Sequence, residues 1–190
     1  VATLAELRAI IGPPLRRPVP ANWPAVEENL NTPLPADYKE FLDHYGTVAF
    51  DLSLGLLVAN LGGTSASTPR EGWMEFLEPL DPISGYGEPM EIVDDSNNVL
   101  GERLFDVYPR QGGLAPWGST QFGHVCLWEM TGEPDEWVVW VTDEDAMSIW
   151  RHDGGFVDFL IKANKGTLRC PVIHENGHLD GVIWDPFDGQ

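Results

Sequence analysis

Apolar positions recur at helical spacing through the first fifty residues and at strand spacing after them. Leu4, Leu7, Ile10 and Ile11 make one helical face, opened by Thr3 and Glu6 at capping-box spacing and stopped by Gly12-Pro13-Pro14. A proline-rich connector runs to Ala21. A second short helix is predicted from Pro24, a favoured first-turn residue, with Val26 and Leu30 one turn apart. The clearest element is a helix over 35–45. Tyr38, Phe41, Leu42 and Tyr45 fall at i, i+3, i+4 and i+7, and Gly46 stands where a helix-ending glycine belongs.

From residue 47 the period shortens. Thr47–Asp51, Leu54–Val58, Glu91–Val93, Arg103–Val107, Val125–Glu129, Trp137–Thr142 and Met147–Trp150 read as β-strands between Gly, Pro, Asn and Asp clusters. The polar, Gly/Ser-rich stretch Asn60–Gly72 reads as a loop. Helical spacing returns at Phe156, Phe159, Leu160 and Ala163, and Gly166 ends it. Cys170–Ile173 and Leu179–Trp184 flank Asn176-Gly177, a strong hairpin-turn signal. This order predicts one α+β domain over 1–190: N-terminal helices packed on a mainly antiparallel sheet, a late helix and a C-terminal hairpin over 170–184.

Composition narrows what such a domain can do. Of 190 residues, 43% are hydrophobic and eight are Trp, so the chain can bury a core and is no acidic disordered tail. The net charge is −19, and it is uneven. Residues 51–100 hold 9 acidic and 1 basic side chains, and residues 101–150 hold 9 and 2, so the middle of the chain carries −15 of the total. With no basic surplus to release counterions, direct nucleic-acid binding is disfavoured, as is an anionic membrane; a basic partner is favoured. Two cysteines, Cys126 and Cys170, make no disulfide framework and read as buried thiols of a cytoplasmic protein, a single bridge between them staying open. The amphipathic start, with Glu6, lacks the form of a signal peptide.

Candidate catalytic patterns are weak. His174-Glu175-Asn176-Gly177-His178 has the letters of a zinc-protease motif, but that motif works on a helix, and Asn-Gly favours a two-residue turn. His124 and Cys126 lie two apart on a predicted strand and share a face, yet no third orienting group accompanies them. Asp94-Asp95-Ser96-Asn97-Asn98 and Asp143-Glu144-Asp145 lack calcium-loop spacing and read as turns. No catalytic residue, metal or cofactor is expected.

The run Trp23, Glu27, Leu34-Pro35-Ala36-Asp37-Tyr38-Lys39-Glu40-Phe41-Leu42 and Tyr45-Gly46 resembles the opening signature of the SUKH superfamily, which includes bacterial immunity proteins and fungal Smi/Knr-type cell-wall regulators. Leu114-Ala115-Pro116-Trp117-Gly118, Gly123 and Cys126-Leu127-Trp128 are similar to that family's central strand region. Trp137-Val138-Val139 and Phe156-Val157-Asp158-Phe159-Leu160 are similar to its later strand and helix, so the resemblance runs over about 23–165. It implies a binding protein: an immunity protein that occludes a cognate toxin domain, basic if it is a nuclease. A regulatory interaction domain without a toxin is the alternative. Loop acids of the middle segment are the expected contacts: Glu88, Glu91, Asp94, Asp95, Glu133, Asp135, Glu136, Asp143, Glu144 and Asp145, with Trp117 as a central anchor and Trp73 as another candidate. The identity of the toxin and the oligomeric state stay open.

Overall fold

A computed structural model describes residues 2–50, 55–58 and 68–173, with the backbone of Ile183–Trp184. The three N-terminal helices form where the apolar spacing places them. Helix α1 (Leu4–Ile11) is capped by Thr3, whose side chain accepts from the Glu6 N–H at 3.2 Å. Helix α2 (Trp23–Leu30) ends at Asn31 in the left-handed conformation. Helix α3 (Ala36–Tyr45) buries all four residues of its predicted face, Tyr38, Phe41, Leu42 and Tyr45. Its N-cap residue is Pro35, which has no capping side chain. Asp135, 99 residues away, supplies the missing acceptor: its Oδ1 takes the Ala36 N–H at 2.7 Å.

The strands are β1 (Val48–Phe50), β2 (Leu56–Val58), β3 (Met90–Val93), β4 (Val99–Arg103), β5 (Leu114–Ser119), β6 (Val125–Glu129), β7 (Val138–Thr142), β8 (Ser148–His152) and β9 (Ile183–Trp184). They form one nine-stranded sheet in the order β4-β3-β8-β7-β6-β5-β2-β1-β9. Among the described strands only β3 and β8 pair in parallel, so the sheet is mainly antiparallel, as expected. Helix α5 (Phe156–Asn164) follows β8 and packs on α1, α3 and β7.

Three readings of the sequence need correction, and one strand is absent from the periodicity. The stretch from Thr68 is not loop but helix α4 (Pro69–Leu77). Thr68 and Glu71 form a reciprocal capping box around Pro69, a start signal that the Gly/Ser-rich surroundings mask. The strand expected over 103–107 lies earlier, at β4. Phe105 and Val107 are buried outside any strand, which explains the misleading apolar run. Pro116 and Gly118 interrupt the strand composition of β5, which only the family resemblance marks as a strand. The β5–β6 register shifts between these two residues, and a Cβ on Gly118 would lie 2.7 Å from the Leu57 carbonyl oxygen of β2. Finally, Cys170–Ile173, expected as the first strand of a hairpin over 170–184, forms no strand, and β9 pairs antiparallel with β1 through Ala49↔Trp184 and Phe50↔Ile183. The Asn176-Gly177 turn and the 60–67 stretch lie outside the described residues.

An aromatic cluster joins the layers. The Phe156 ring lies 5.3 Å from those of Tyr38 and Phe41 and 5.1 Å from that of Trp117, all edge-on. Phe41→Ala removes a fully buried ring from this cluster and should lower unfolding free energy by about 3–5 kcal/mol, read by denaturant titration. Thr68→Ala removes the α4 cap and should cost about 1 kcal/mol on the same measurement.

Candidate functional site

The start of β3, the end of β4 and the β7–β8 turn enclose a groove of about 500 Å³. Glu88, Glu91, Glu102, Asp143 and Asp145 line it, and its lining includes no Lys or Arg. Glu91 stands directly opposite Glu102 in the β3–β4 ladder. Like charges facing across a ladder are destabilising, so this pair is not there for the sheet. Among the described residues, no ion pair involves Glu88, Glu91, Glu102 or Asp145. Two exposed apolar side chains, Tyr86 and Met147, each 68% accessible, also line the groove. Anionic walls with apolar projections suit a cationic protein surface.

Four of the acids expected from the sequence therefore meet here: Glu88, Glu91, Asp143 and Asp145. Glu102 was missed, because its closeness to Glu91 depends on strand register. The other acids have work inside the fold. Asp94 Oδ1 accepts the Ser96 and Asn98 N–H groups at 2.8 and 2.9 Å. The Asn98 backbone and side-chain bonds, with that from Ser96, hold the Asp94 carboxyl below its ordinary range. Asp95 accepts Trp150 Nε1–H at 2.9 Å. Glu144 lies 3.4 Å from His124 Nε2. Glu136 accepts the Glu133 N–H at 3.2 Å across a short 3-10 turn, Pro134–Glu136, and Asp135 caps α3. Asp143 has both roles: besides lining the groove, it accepts the Met147 and Ser148 N–H groups.

Neither tryptophan candidate reaches the surface. Trp117 is 0% exposed, donates from Nε1 to the Leu127 carbonyl and packs on Phe156 and Phe159. Trp73 is buried edge-on against Tyr108. Both are core residues, not interface anchors.

A larger cleft, about 860 Å³, opens beside the α2–α3 connection. Its cations are engaged: Arg110 pairs with Asp81 and Asp106, and Arg70 lies over the Tyr108 ring. Glu133 also lines it, so the cleft carries charges of both signs.

A histidine–carboxylate pair lies elsewhere. His152 Nε2 lies 2.8 Å from Asp158 Oδ2, which also accepts from Lys162. Burial first, and then Lys162, push the His152 pKa below 6.5 despite the Asp158 bond. Burial opposes the charge on Asp158, but bonds from Lys162 and His152 outweigh it and keep the carboxyl low. The pair ties β8 to the first turn of α5. Burial and the neighbouring Cys170 push the Cys126 thiol far up, and burial pushes the Cys170 thiol to about 12. His124 Nδ1 is 2.6 Å from Thr120 Oγ1. Neither thiol is a nucleophile at neutral pH in this fold. The His174–His178 segment lies outside the described residues. Among the described residues, no three His, Cys, Asp or Glu side chains are grouped to hold a metal, and no helix is long and apolar enough to cross a membrane.

Residues 1–63 match the family model SUKH_5, described as SMI1-KNR4 cell-wall. The match supports a SUKH assignment over that segment, which holds α1 to α3, β1 and β2 and is a third of the chain. The downstream runs that resemble the superfamily in sequence lie on β5, β6, β7 and α5. Comparison with curated proteins and with solved structures gives no match.

Two outcomes follow from the buried groups. In the native state Cys126 and Cys170 should resist a thiol-labelling reagent and react only on denaturation, followed by absorbance. The unfolded chain protonates His152 near its ordinary 6.5, whereas the folded chain does so lower, so stability drops as pH falls through 6.5. The low Asp158 pKa adds loss in the same direction below its ordinary 3.8. The melting temperature of His152→Asn should therefore fall less steeply than wild type between pH 7 and 5.

Proposed function

We propose that this protein is an immunity protein. It binds a cognate basic toxin domain of the nuclease type, in the cytoplasm, and blocks it by stoichiometric occlusion without turnover. The observation that carries this reading is the groove whose acids, Glu91 and Glu102 above all, have no cationic counterpart within the chain's described residues. Such a surface steers a basic protein to itself and disfavours wrong partners by charge. The SUKH assignment agrees with it.

A second reading is a regulatory interaction domain with no toxin partner. The description of the matching family, SMI1-KNR4 cell-wall, favours it.

Co-expression separates the two. The toxin candidate is a basic domain encoded beside this chain. Immunity requires rescue of growth and a 1:1 complex; absence of both favours the regulatory domain. In the complex, Glu91→Lys with Glu102→Lys should slow association by roughly tenfold or more at low salt and flatten its salt dependence, measured by stopped flow. Unchanged rates would remove the groove from the interface.

A further inference from the structure

The acidic groove lies beside a feature that electrostatics alone leaves unexplained. Strand β4 is the outermost strand of the sheet, and β3 is its one partner among the described residues. All five of its residues are exposed. Val99 and Leu100 are 55% and 68% accessible, and Leu104 continues the apolar surface. An edge of this kind presents unpaired N–H and C=O groups, and natural sheets guard such edges with Pro, charged side chains, bulges or a covering segment. Strand β4 contains neither Pro nor Lys; its charges are Glu102 and Arg103, and Arg103 is paired with Glu129. Its bulge falls at Leu100, and Gly101, Glu102 and Arg103 beyond it keep regular register with Ile92, Glu91 and Met90, so 101–103 is the regular open stretch.

Gly101 adds an independent sign. It has no positive φ, and a Cβ there would meet nothing within 4 Å. The fold does not require a glycine, which weakens a strand, at this position. A glycine in a strand also marks a place where another backbone comes close.

Charge selects the occupant. A second copy would bring another net −19 and set its own acids against Glu102. A basic extended segment meets Glu102 and Glu91, which share one face, with its cations.

We infer that the outer edge of β4 accepts an extended strand from a basic partner protein, added to the sheet by main-chain hydrogen bonds, with Glu102 and Glu91 alongside. This rests on the reading of the groove as a docking site for a basic protein, and it specifies the form that the partner takes there. Main-chain pairing gives affinity in such a mode, and flanking side chains give specificity.

Two synthetic probes of equal charge test it against the full chain at low salt: a Lys-Val alternating decapeptide and a Lys-Pro alternating decapeptide, which cannot pair. The Lys-Val peptide should bind at least tenfold more tightly by calorimetry and slow amide hydrogen exchange in 99–103 at least tenfold. Glu91 donates its N–H to the Met147 carbonyl on the β8 side of β3, so its ladder partner Glu102 turns its own N–H outward. Glu102→Pro removes that outward N–H, and Glu102→Gln, which loses the charge alone, is its control; the proline variant, with a melting curve like that of the control, should bind the Lys-Val peptide at least tenfold more weakly than the control does. Equal binding of both peptides, binding without protection of β4, or unchanged binding by the folded proline variant overturns strand addition and leaves the groove reading in place. Binding of neither peptide overturns the groove reading and this inference with it. Self-association that protects β4 without peptide also overturns it.

Discussion

The fold depends on one aromatic contact, the seating of Phe156 between the α3 rings and Trp117 of β5. Each large ring taken from water contributes about 1.5–3 kcal/mol, and each edge-on pair adds about 0.5–1.5 kcal/mol. The cluster fixes α3 and α5 on the sheet from residues more than a hundred positions apart in sequence. Carboxylates complete the same joint. Asp135 satisfies the start of α3, and Asp37 on α3 accepts the Val157 N–H at 3.1 Å at the start of α5. Burial raises the Asp37 pKa despite that bond. The Pro134–Glu136 turn thus caps α3, and α3 in turn caps α5.

That arrangement divides the negative charge into two populations. Asp37, Asp94, Asp95 and Asp135 are bound to the chain's own N–H groups. Their charge is answered locally, and they shape turns and helix ends. Glu88, Glu91, Glu102 and Asp145 have no such engagement among the described contacts, and they share one groove. A net charge says nothing about this division. It follows from which carboxylates the backbone has already used.

The legible part of the structure was the part written in local periodicity. Helix α3 was readable because four apolar residues at helical spacing all face one core. Strand β5 was legible through the resemblance and not through periodicity, since Pro116 and Gly118 break the usual strand composition and are tolerated only through a bulge and the close approach of β2. Helix α4 had a readable start at Thr68-Pro69-Arg70-Glu71, but the Gly/Ser-rich residues before it dominated the reading. The site was half legible. Turn acids can be found from sequence, yet whether one caps a helix 99 residues away or meets its like across a ladder depends on topology. Trp117 shows the opposite error, a motif residue that looked available and is enclosed.

The two ends of the sheet are unlike. Among the described residues, β1 is covered by its pairing with β9, whereas β4 lies open. An open edge ordinarily invites a second copy of its own chain. Here repulsion between like-charged molecules opposes that pairing, and repulsion, unlike a covering segment, fades beyond the Debye length, so the guard on this edge weakens as salt rises.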